Sequence, residues 1–129
     1  MNGARIEPTS LRPPDETDVA RALQLFAAAA RRHYGARLKG LYLFGSRARG
    51  DHTPESDVDV AVVLADGDWT FWQEKMRLSD LTYDVVISTG ADVQAWPIRE
   101  SEWRNPDIHL NPSLARAMRR DGRALESPA

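Results

Sequence analysis

The chain has 129 residues, with 17 basic and 19 acidic side chains, a formal charge of −2 and no cysteine. That length suits one domain burying roughly two-thirds of the surface its unfolded chain would expose. The charge excludes a global positive field of the kind non-specific nucleic-acid binders use, so no long nucleic-acid substrate is expected, and the missing thiols exclude disulfides and thiolate metal sites.

Residues 1–14 carry Gly3, Pro8, Thr9, Ser10, Pro13 and Pro14 without periodicity and are read as a mobile arm; they lack the apolar run of a signal peptide. No stretch is long and apolar enough for a membrane span, and the combination points to the cytoplasm. From Asp15, the residues Val19, Ala22, Leu23, Phe26, Ala27 and Ala30 fall on one helical stripe that ends near Gly35. Leu38 to Phe44 reads as a buried strand broken at Gly45, and Ser46 to Arg49 as a short helical turn. Asp51 to Ser56 is a polar loop, after which Val58 to Leu64 is the strongest strand signal in the chain.

Trp69 to Leu81 is expected to be helical and Leu81 to Ser88 to return to a strand through Tyr83, Val85, Val86 and Ile87. Thr89 to Asp92 reads as a turn and Val93 to Ile98 as a short edge strand restricted by Pro97, followed by a short helix over Arg99 to Trp103. Asn111 and Pro112 look like an N-cap and N1 pair opening a helix to Arg120, with Gly122 beyond it. The expected organisation is a single domain over 15–122, with a frayed tail over 123–129.

Residues 44–60 carry the chemistry. Ten residues separate Ser46 from Asp57, and Asp57 and Asp59 alternate at the start of a strand, so both carboxylates point to one side. Two hard oxygen donors beside a small-residue turn that can approach phosphate suit Mg²⁺ and a nucleotide. Acids at an exposed strand end are the plain alternative on the pair alone. Arg47 and Arg49 flank the turn and can contact phosphate or pair with Asp51 and Glu55. His33, His52 and His109 lack ligand spacing, and one or two of Trp69, Trp72, Trp96 and Trp103 are expected to face a partner.

The Gly-Ser-x10-Asp-x-Asp pattern, with Tyr83-Asp84-Val85 taken as the following apolar-acid-apolar triplet, resembles the nucleotidyltransferase superfamily that includes DNA polymerase β, and in particular its minimal branch. The resemblance covers roughly residues 41–87. It implies an α/β (α+β) fold with a mixed sheet of about four strands and helices mainly on one face. It also implies that Gly45 and Ser46 hold the triphosphate, while Asp57, Asp59 and Asp84 hold two Mg²⁺ ions and catalyse transfer of a nucleoside monophosphate, AMP from ATP, to a hydroxyl. Minimal members resemble antitoxins paired with a helical HEPN-type ribonuclease toxin, whose tyrosine becomes the implied acceptor. An antitoxin acting by binding alone and an aminoglycoside nucleotidyltransferase are the alternatives.

Overall fold

A computed structural model describes residues 12–125. Helix α1 (Glu16–Tyr34) opens on a reciprocal cap in which Asp15 accepts from the Asp18 N–H and the Asp15 N–H donates to the Asp18 carboxylate. Its buried stripe of Val19, Ala22, Phe26, Ala27, Ala30 and Tyr34 is the one the periodicity predicts. Strand β1 (Leu38–Phe44) leads through the one-turn helix α2 (Ser46–Arg49) and a loop into β2 (Val58–Leu64), and the two strands pair antiparallel. Helix α3 (Phe71–Thr89) then crosses over to β3 (Val93–Arg99), which lies parallel to β2. After α4 (Glu100–Arg104) and α5 (Pro112–Asp121), the two-residue strand β4 (Arg123–Ala124) returns to β1.

The mixed sheet has the order β3-β2-β1-β4. On one face, α1 and α3 bury Phe26 and Leu78 against Leu41, Val58, Val60, Val62, Leu64, Val93 and Ala95. On the other, Ala115 and Met118 of α5 pack with Phe44, Ala61, Val63 and Ile98, with Trp103 of α4 alongside. The two long helices thus share one face, and the shorter pair covers part of the second. Asn111 caps α5 through its side chain and Pro112 opens it, as the sequence pattern predicts. Pro97 is tolerated in β3 because that strand is an edge with β2 as its one neighbour.

Three expectations need correction or restriction. Leu81–Ser88 is not a strand: α3 runs unbroken from a Thr70 capping box to a left-handed Gly90. Its buried residues Leu78, Val85 and Thr89, with half-buried Leu81, recur at helical spacing. The exposed Tyr83 and Ile87 on the opposite side supplied the apolar density that imitates a strand. The tail is not frayed from Arg123, because Arg123 and Ala124 pair with Leu43 and Tyr42 and the Leu125 N–H donates to the Leu41 carbonyl at 2.9 Å. The expected arm lies outside the described residues for 1–11.

Candidate active site

The site is built where β1 turns into β2. Gly45 has φ +78°, a conformation that strains any side chain, and a Cβ added there would stand 2.7 Å from Asp59 Oδ2. Glycine therefore lets the turn close directly over a carboxylate. The turn is fixed by Ala48 and Arg49 N–H groups donating to the Gly45 carbonyl, both at 3.1 Å. Those of Gly50 and Asp51 donate to the Ser46 carbonyl at 2.9 and 3.1 Å. Ser46 stands half-buried at the first position of α2.

Arg47 does not face a ligand. Its side chain is 3% exposed, with Nε donating to the Ser56 carbonyl at 3.1 Å and Nη2 to the carbonyls of Pro54 and Thr53 at 3.2 and 3.4 Å. The phosphate reading of Arg47 is thus replaced by a structural one: its fork collects loop carbonyls that would otherwise be buried without donors. Arg49 is paired as well, with Asp51 at 3.1 Å and with the nearly buried Asp121 at 2.9 Å. Of the acid partners expected for the two arginines, Asp51 is found on Arg49, whereas Arg47 is buried and lies 3.8 Å from Glu16. His52 contacts Glu16 at 3.1 Å.

Asp57 is exposed and Asp59 half-buried, with Val58 between them turned into the core. In register, Asp59 lies opposite Phe44 on one side and Gln94 on the other, and the Val58 N–H donates to the Asp92 carbonyl at 2.9 Å. Asp92 therefore enters β3 beside Asp57. Burial, then the Asp92 charge and a hydrogen bond shared with Asp92, push the Asp57 carboxyl above its usual range. Burial also pushes Asp59 up, and the charges of Asp57 and Asp92 add to this, while the Trp96 N–H and Lys75 oppose it.

The third acid at the site is Asp92, not Asp84. Asp84 stands exposed on α3, and its charge is not among those acting on Asp57 or Asp59. Ala91-Asp92-Val93 is also an apolar-acid-apolar triplet, with the helix-ending Gly90 before it and a strand after it. That was the available signal, and a strand assigned to Leu81–Ser88 hid it. Trp96 and Lys75 were missed because neither belongs to a spacing motif. Of the four tryptophans, Trp69 is buried, Trp103 stacks on Tyr42, Trp96 is half-buried beside Asp59, and Trp72 is 70% exposed.

Oxygen donors are the chemistry a hard divalent cation favours, and such an ion would relieve the repulsion among neighbouring carboxylates. Among the described residues, no three acid or histidine side chains are arranged so that they could hold a metal ion as they stand.

Alternating acids at one end of an interior strand, beside a glycine-serine turn, are an arrangement suited to phosphate and a cation, and comparison with known proteins gives the family. A family model described as a nucleotidyltransferase domain matches residues 23–112, from α1 to the start of α5, and the chain belongs to that family of enzymes. It is 34% identical over 83 residues to "Putative protein adenylyltransferase MJ0604" of Methanocaldococcus jannaschii, a stretch covering 64% of this chain and 82% of that protein. Among solved structures, "a putative nucleotidyltransferase from Sulfolobus solfataricus" has a TM-score of 0.53 at 21% identity, covering 78% of this chain and 82% of that one. A toxin–antitoxin structure with AMP-PNP has a TM-score of 0.52 at 22% identity, covering 80% and 72%. At these identities the two structures share the fold with this chain.

Proposed function

We propose that the enzyme transfers AMP from ATP to a side-chain hydroxyl of a protein partner, and that it acts in this way as the antitoxin of a toxin–antitoxin pair. Asp57, Asp59 and Asp92 would hold Mg²⁺. When bound, the metal neutralises charge on the phosphates and on the attacking oxygen. The acceptor oxygen attacks the α-phosphorus, the bond from that phosphorus to the pyrophosphate oxygen breaks, and the hydroxyl proton passes to a carboxylate, for which Asp92 at the rim is the candidate. Gly45 lets the turn lie against Asp59, and Ser46 opens the turn that would face the phosphates.

The carrying observation is the Gly45, Asp57, Asp59 and Asp92 constellation in a chain one-third identical to a protein named for protein adenylyl transfer. A second observation supports a protein acceptor. Trp72, Met76, Tyr83 and Ile87 of α3 are 64–70% exposed and lie along one face of the helix, a stripe of the kind that marks a protein contact. A helical toxin of the HEPN class, modified on a tyrosine, would suit such a helix-borne apolar surface. Among the described residues no helix is long and apolar enough to cross a membrane, and a cytoplasmic setting completes the proposal.

The test is incubation with labelled ATP, Mg²⁺ and the product of the neighbouring gene. Label should appear on that product and vanish with Asp57→Ala combined with Asp59→Ala. Label that persists in the double variant would overturn the metal assignment. Neutralisation by wild type and double variant alike, without label, would favour inhibition through the α3 stripe alone, and label on an aminoglycoside in place of protein would overturn the acceptor.

A further inference from the structure

Asp59 is held from two sides. Its Oδ2 packs against Gly45, where an added Cβ would stand 2.7 Å away, and its Oδ1 accepts from the Trp96 indole N–H at 3.5 Å, the long limit of a hydrogen bond. β3 puts Trp96 two residues beyond Gln94, the residue opposite Asp59 in register. α3 then delivers Lys75, whose Nζ donates to the Ala95 carbonyl at 2.7 Å and lies 4.3 Å from the centroid of the Trp96 ring. A lysine ordinarily keeps its ammonium in water, but this one is half-buried, and desolvation lowers its affinity for the proton while Asp59 and Asp92 oppose that effect. An ammonium over an indole face draws electron density toward itself and makes the ring N–H a stronger donor.

We infer that Trp96 and Lys75 are a positioning pair for Asp59: the indole N–H fixes the rotation of the carboxylate with Oδ2 against the Gly45 turn, and the ammonium holds it there by acting through the indole. This rests on the reading of Asp59 as a cation ligand. It assigns work to two residues outside the Gly-Ser and Asp-x-Asp motif, of the kind performed by groups that orient metal ligands without touching the metal.

Mn²⁺ titration of the purified chain, read by calorimetry, separates the possibilities. Trp96→Phe keeps the ring and removes the N–H, and should weaken Mn²⁺ binding about tenfold. Lys75→Met keeps the stem and removes the charge, and should weaken it about threefold, with Lys75→Arg restoring most of the loss. The double variant should be no weaker than Trp96→Phe alone, because Lys75 acts through the indole. Affinities within about twofold of wild type in both single variants, with unchanged thermal midpoints, would overturn the pair, and so would losses that multiply in the double variant. If Trp96→Phe does not fold, Lys75→Met and Lys75→Arg decide alone: equal affinity in the two would overturn the inference. A wild-type chain that binds no Mn²⁺ would overturn the reading of the site itself.

Discussion

Along β2, Val58, Val60, Val62 and Leu64 enter the core beneath α1 and α3, whereas Asp57, Asp59, Ala61 and Val63 belong to the opposite face, which α4 and α5 cover only in part. One strand therefore contributes to a closed layer and to an open site through its period of two. On the closed face a buried acid is met by partners: Glu74 on α3 accepts from the Tyr34 hydroxyl at 3.0 Å and lies 3.7 Å from Arg37. The open face keeps three carboxylates together. The difference shows where chemistry can sit in so small a fold, namely where the cover over the second face runs out.

Substitutions on each side sharpen that division. Outside the carboxylates themselves, the largest activity effect is expected at Gly45→Ala, where the new Cβ meets Asp59 Oδ2 at 2.7 Å and the φ of +78° is strained. Nucleotide transfer should fall by about a hundredfold or more, since a displaced carboxylate misaligns the reacting groups. Phe26→Ala, on the closed face, should do the reverse. It should lower unfolding free energy by about 3–5 kcal/mol in a urea titration and leave kcat per folded molecule nearly unchanged.

Arg47→Met should have a smaller, mixed effect. The Thr53, Pro54 and Ser56 carbonyls lose their donor, so stability should drop by about 1–2 kcal/mol and protease cleavage should increase within the loop ahead of Asp57. The smallest effect is expected at Tyr34. Burial, followed by its bond to Glu74, raises the Tyr34 phenol above the usual tyrosine range. A raised folded-state value contributes stability that is intact below about pH 10, the ordinary phenol value, and is lost as pH rises toward the folded one. The thermal midpoint of wild type should thus fall more steeply above pH 10 than that of Tyr34→Phe, and parallel curves would contradict the coupling.

Much of this architecture is legible in the residues because period and punctuation agree there. The α1 stripe, the break at Gly45, the run from Val58 to Leu64 and the Asn111-Pro112 opening each combine a hydrophobic repeat with a cap or a stop. The α3 segment defeats the same logic. Its solvent side carries Trp72, Met76, Tyr83 and Ile87, so apolar density no longer marks the buried face, and β-branched Val85, Val86 and Ile87 favour a strand locally. That error moved the third acid from Asp92 to Asp84. Asp57 and Asp59 needed no tertiary information because one strand supplies both, whereas Asp92 joins them only through parallel pairing of β2 with β3. The inward turn of Arg47 was equally unreadable, since it depends on where a loop places its carbonyls.

The central claim, that Asp57, Asp59 and Asp92 form one site, is tested most directly by comparing Asp92→Asn with Asp84→Asn in transfer of labelled AMP from ATP at saturating Mg²⁺. Asp92→Asn should reduce the rate by about a hundredfold or more, and Asp84→Asn should leave it within about twofold of wild type. The opposite pattern, with Asp84 essential and Asp92 dispensable, would contradict the account.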